Sequence, residues 1–97
     1  MNMQAMMQQA QKLQRDMLKA KKELEEKTYV STQSFVTVET KGTKEIVKIT
    51  IDQDSLDKDD IEMLEDLIVV AANENIKAIN KDTESKMGKF GGMAGLF

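Results

Sequence analysis

The sequence predicts an α+β fold: a long N-terminal helix, a three-stranded antiparallel sheet, a long second helix and a flexible C-terminal tail, assembled as a dimer. Three observations carry that prediction. Apolar residues recur at heptad spacing through the first quarter of the chain. They alternate with period two through the middle, then merge into an unbroken apolar run inside a helix-forming second half. Residues 1–87 read as a single domain, with a helix at about 3–27, strands within about 29–52 and a helix at about 57–87; residues 88–97 read as a flexible Gly/Met tail.

The first helix rests on Met3, Met6, Ala10, Leu13, Met17, Ala20 and Leu24, a strict alternation of three- and four-residue steps. Such spacing gives one narrow apolar seam instead of a broad core face. Gln, Lys, Glu and Met fill the other positions, all good helix formers, with no Gly or Pro to interrupt. A helix of that length exceeds what a small domain needs to cover itself, so part of it projects or lies along another helix.

From Tyr29 to Asp52 the composition turns to Val, Ile and Thr. Val36 and Val38 alternate with Thr37 and Glu39, and Val47, Ile49 and Ile51 alternate with Lys48 and Thr50. Between these runs Thr40-Lys41-Gly42-Thr43-Lys44 supplies a turn, with Gly42 available for positive φ, so an antiparallel hairpin follows. Val30–Ser34 is a third strand, set off from the next by a kink.

The second helix is predicted to start at the N-cap Asp57, with Asp59, Asp60 and Glu62 in its first turns, where the macrodipole favours anions. Its run Leu67-Ile68-Val69-Val70-Ala71-Ala72 is apolar all round and needs cover on more than one side. The sheet is one cover and a second copy of the chain the other. Val36, Val38, Val47, Ile49, Ile51, Leu64, Leu67, Ile68 and Ala71 are therefore the candidate core and dimer residues. Beyond Met87, four glycines fall within ten residues, a tail composition.

Composition narrows the function. The chain has 97 residues with no Cys and no His, which excludes disulfides, thiol nucleophiles, Ser-His-Asp triads and Cys/His zinc sites. With no Trp, one Tyr and three Phe, it offers few platforms for stacking bases. No apolar window spans a membrane, and no secretory signal pattern opens the chain, so the expected compartment is the cytoplasm. No cofactor, metal or small-molecule substrate is expected, and a binding or structural role is favoured over an enzyme.

The net charge of −3 conceals its placement. Residues 52–66 carry one Lys against eight acids, a local −7, so the remainder of the chain is +4. The acidic block does not read as a calcium loop. If Asp52 and Asp54 were the first two ligands, Leu56, Asp57 and Met63 would occupy the third ligand, the turn glycine and the bidentate Glu. It reads as a solvated helix start.

The cations of the first helix are more informative. Lys12, Arg15, Lys19 and Lys22 step by three, four and three residues, forming a stripe nearly opposite the apolar seam. Such a stripe is either a solvated face or a phosphate-binding one; duplicated in a dimer, it would strengthen the local field. Arg15 is the sole Arg, so no base-reading constellation is evident. Met1, Met3, Met6, Met7 and Met17 either fill the seam or offer an adaptable surface to an apolar partner. The second option defines the rival function, a protein–protein adaptor or chaperone-like module with Met-rich helix arms.

Three segments in this order resemble the YbaB/EbfC family of bacterial nucleoid-associated proteins: Met7-Gln8-Gln9-Ala10-Gln11-Lys12-Leu13-Gln14-Arg15-Asp16-Met17, the Val/Ile hairpin, and Met63-Leu64-Glu65-Asp66-Leu67-Ile68-Val69-Val70-Ala71-Ala72-Asn73-Glu74. The Gly/Met tail is similar too. The resemblance implies homodimers whose long helices extend as arms, binding double-stranded DNA with low sequence preference at the nucleoid. It also implies DNA contact by Lys12, Arg15, Lys19 and Lys22 and by Lys77, Lys81 and Lys86 late in the second helix. The family usually has a Gly-rich break before its second strand, where this chain has Ser31-Thr32-Gln33-Ser34.

Overall fold

A computed structural model describes residues 2–90. Its elements run α1 (Met3–Glu26), β1 (Thr28–Gln33), β2 (Val36–Lys41), β3 (Ile46–Ile51) and α2 (Lys58–Met87), with an antiparallel sheet in the order β1-β2-β3. The α+β class and element order follow the sequence reading.

Each boundary has a local cause. Asn2 caps α1, its Oδ1 accepting from the Ala5 amide at 2.7 Å. At α2 the Asp60 carboxylate accepts from the amide of the N-cap Asp57 at 2.9 Å, which relieves one of the free donors at the helix start. The join of β1 to β2 is a tight two-residue turn, not the kink expected. Gln33 pairs with Val36, and Ser34 takes φ 52° as the first central residue, a position usually given to Gly. Phe35 is the second turn residue.

The β2–β3 connection corrects a second expectation. Positive φ falls on Lys44, at 75°, and not on Gly42. The Lys44 amide donates to the Lys41 carbonyl and the Lys41 amide to that of Glu45, both at 2.8 Å, a three-residue loop closed by a left-handed residue. Gly42 is needed for close approach instead. A Cβ there would lie 1.6 Å from the Leu24 carbonyl oxygen, and the Gly42 amide donates to the Lys27 carbonyl at 2.9 Å. The loop thus clamps the C-terminal end of α1.

α2 packs over β1 and β2. Val36, Val38 and Ala71 are fully buried there, with Leu64, Leu67 and Ile68 packed around them. Between helix and sheet, Asn75 donates its Nδ2 to the Val38 carbonyl at 2.8 Å and to Thr40 Oγ1 at 3.0 Å. β3 behaves differently. Its register places Ile51 opposite Val36 and Ile49 opposite Val38, then slips so that Ile46 meets Thr40 and Val47 has no partner. The simple alternation of Val47, Ile49 and Ile51 is therefore broken, and all six β3 residues are exposed within the single chain. These three residues lie outside its core.

A second cluster joins Met17, Ala20 and Leu24 of α1 to Met87 and Phe90. Gly88–Phe90, the first three residues of the expected tail, form a 3₁₀ turn that seats Phe90 against α1. The remainder of that expected tail, residues 91–97, lies outside the described residues.

Candidate nucleic-acid interface

The 24 residues of α1 make a rod of roughly 36 Å. Only its second half is anchored, by the seam residues Met17, Ala20 and Leu24. The first fourteen residues, Met3 to Asp16, include no buried side chain and form the projecting stretch. Lys12, Arg15, Lys19 and Lys22 are all exposed, on the face turned from the buried seam.

Their surroundings differ. Lys12 and Arg15 belong to the projecting stretch. Lys19 enters a groove between α1 and the end of α2 lined by Asp16, Lys19, Ala20, Glu23, Lys86 and Lys89. Lys86 Nζ lies 3.2 Å from Glu23 Oε2, so this groove mixes three cations with two carboxylates. Lys22 borders a shallow depression with Glu25, Glu26, Lys41, Thr43 and Glu45, where acids offset it. The structure thus brings Lys19 and Lys86 together. It leaves Lys77 roughly 13 Å further back along α2, in an ion pair with Glu74 at 3.6 Å, and Lys81 exposed outside the groove. Lys89 joins the groove unforeseen, since a Gly-rich composition hid the 3₁₀ turn that carries it.

The root of the projecting helix is held by a polar cluster that sequence reading also missed. Asp82 Oδ2 accepts from Lys27 Nζ at 2.5 Å and from the Tyr29 hydroxyl at 2.8 Å, and the Lys27 ammonium sits 4.8 Å from the Tyr29 ring centroid. The Lys27 and Tyr29 hydrogen bonds hold the Asp82 carboxyl below the usual carboxylate range. Burial, reinforced by the Asp82 carboxylate, pushes the Tyr29 phenol up from 10.0 to about 12. The cluster joins the α1–β1 junction to α2, and no spacing in the sequence announces a pairing across fifty-five residues.

Among the described residues the buried polar side chains are Thr40 and Asn75, so no carboxylate is buried to raise its pKa. Among the described residues no group of three or more acidic side chains is disposed to hold a metal ion, and no helix is long and apolar enough to cross a membrane.

Comparison with known proteins gives one consistent result. The sequence profile of the YbaB/EbfC DNA-binding family matches residues 1–94. A nucleoid-associated protein of Clostridium novyi is 44% identical over 102 residues, covering 100% of this chain and 90% of the relative. One from Lactococcus lactis subsp. cremoris is 44% identical, covering 93% of each chain. One from Enterococcus faecalis is 39% identical, covering 92% of this chain and 88% of its own.

Proposed function

The chain belongs to the YbaB/EbfC DNA-binding family, which is not a family of enzymes, and on that premise we propose that it binds double-stranded DNA at the nucleoid as a homodimer, through phosphate contacts of low sequence preference. The observation that carries this reading is the projecting α1, with Lys12, Arg15, Lys19 and Lys22 on the side away from its packing seam. Lys86 and Lys89 lie beside Lys19 and extend the cationic surface onto α2; Lys77 and Lys81 are peripheral to it.

The homodimer is supported by apolar surface that one chain leaves in water. β3 turns Ile49 and Ile51 to the core side of the sheet, yet α2 does not cover them. On α2, Val69 and Val70 remain 56% and 45% exposed within the all-round apolar run. A second copy applied to β3 and α2 would bury both sets and double the cationic arms.

With one Arg in the chain, affinity rests on phosphate neutralisation and not on base edges. If ~6 phosphates are neutralised per dimer, log K falls with log salt at a slope of about −5. Replacing Lys12, Arg15, Lys19 and Lys22 together by Gln should abolish retardation of duplex DNA while the assembly state stays unchanged. Retardation equal to that of the parent protein, or affinity indifferent to salt, would move the site elsewhere. The adaptor reading draws on the exposed Met3, Met6 and Met7. Protein partners retained after nuclease treatment would favour it.

A further inference from the structure

The apolar seam of α1 is half used. Met17, Ala20 and Leu24 are covered by Met87 and Phe90, whereas Met3, Met6, Ala10 and Leu13 continue the same seam uncovered, Met3 being 79% exposed. Residues 1–11 carry no charged side chain at all. The positions flanking the open seam are Asn2, Met7, Gln9 and Gln14, again uncharged, with Asp16 at its inner end, while Lys12 and Arg15 point outward. A helix end meant only for phosphate would gain from cations at its tip, and this one has none.

We propose that the open seam pairs, antiparallel, with the same stretch of α1 from a second copy of this chain. The spacing is symmetrical about residue 8. Run backwards, the series 3, 6, 10, 13 maps onto itself, so Met3 meets Leu13 and Met6 meets the small Ala10 of the other helix, layers that alternate as helix pairs require. Around the two-fold axis Met7 faces Met7 and Gln9 faces Gln9, and further out Asp16 faces Asn2. No like charges are opposed.

Orientation is decided by the rest of the fold. A parallel partner would bring its own Met87 and Phe90 alongside, next to a seam already covered from Met17 onward. An antiparallel partner overlaps only the open stretches and sends the two roots in opposite directions. The contact is isologous and small. Four seam side chains from each helix fall well short of the ~800 Å² per partner of a standard interface, so pairing depends on concentration and grows when molecules are held close.

The full chain has no cysteine, so single-cysteine variants report the pairing directly. Gln9→Cys places two thiols across the axis, whereas Met3→Cys places them ten residues of rise, ~15 Å, apart. With a short bis-maleimide linker and no DNA present, Gln9→Cys should cross-link into a covalent dimer at least tenfold faster than Met3→Cys. The rate should rise with protein concentration. Adding Leu13→Gln should suppress it, with far-UV circular dichroism reporting that α1 remains helical. Equal or faster cross-linking of Met3→Cys, or indifference to Leu13→Gln, overturns the proposal. Cross-linking that appears only after residues 91–97 are removed also overturns it, assigning the seam to the chain's own C-terminal segment. Because no DNA enters the assay, its failure leaves the DNA-binding reading to its own test.

Discussion

Asn75 is a buried amide that ties α2 to β2 through the Val38 carbonyl and the Thr40 hydroxyl. Nothing in the sequence singles it out, because Asn73, Asn75 and Asn80 all read as polar positions of a helix. The seating of α2 on the sheet chooses between them: Asn75 is buried, while Asn73 and Asn80 are exposed. Truncation strands a buried hydroxyl and opens a small void, so Asn75→Ala should cost about 2 kcal/mol in urea unfolding. A change within ~0.5 kcal/mol would mean that water replaces the amide without loss. Tyr29 supplies a test by pH. Its folded pKa of about 12 exceeds the ordinary 10.0, so its contribution is complete below pH 10 and is lost as pH rises through the folded value. Stability should therefore fall between about pH 10 and 12, and Tyr29→Phe should flatten that part of the curve. The Asp82 carboxyl, shifted the opposite way, contributes above its unfolded pKa and loses that contribution as pH falls through its depressed folded value.

At the level of elements, the helices and strands were legible because each carries its own periodicity. What escaped was where one element touches another. The heptad of α1 gave its length and its buried Met17, Ala20 and Leu24, but not that Gly42 holds its end. A turn glycine invites a reading through φ; here the reason is a neighbouring backbone, visible only once the chain has folded back. Gly42→Ala and Gly88→Ala make a matched pair. At Gly42 the added methyl meets the Leu24 carbonyl, which cannot swing aside as a side chain would, so a loss of about 3 kcal/mol or more is expected, with faster amide exchange near Lys27. At Gly88 the backbone is right-handed helical and nothing lies within 4 Å, so Ala should be neutral or add about 0.5 kcal/mol. Thermal melts of the two variants should separate accordingly. The break in β3 was hidden for a related reason. An alternating run does not reveal a bulge at Val47, because an extra residue changes the partner and leaves the composition alone.

Over the whole molecule, the charge map was legible from the sequence and the groove was not. The four cations of α1 could be placed on one face by counting, and they do lie exposed there. Bringing Lys19, Lys86 and Lys89 together takes the crossing of two helices, which no single helical pattern encodes. The same crossing fixes the outline of the molecule. Its extents are 71 × 18 × 15 Å and its radius of gyration is 19.4 Å, where a compact chain of this length would have about 12.5 Å. Friction in solution follows shape as well as mass, so a single chain should elute from a sizing column ahead of globular standards of its own 10.9 kDa. Elution volume would then overstate the mass that light scattering reports at the same peak, for one chain or for the dimer; coincidence of the two would mean that the projecting helix folds back in solution.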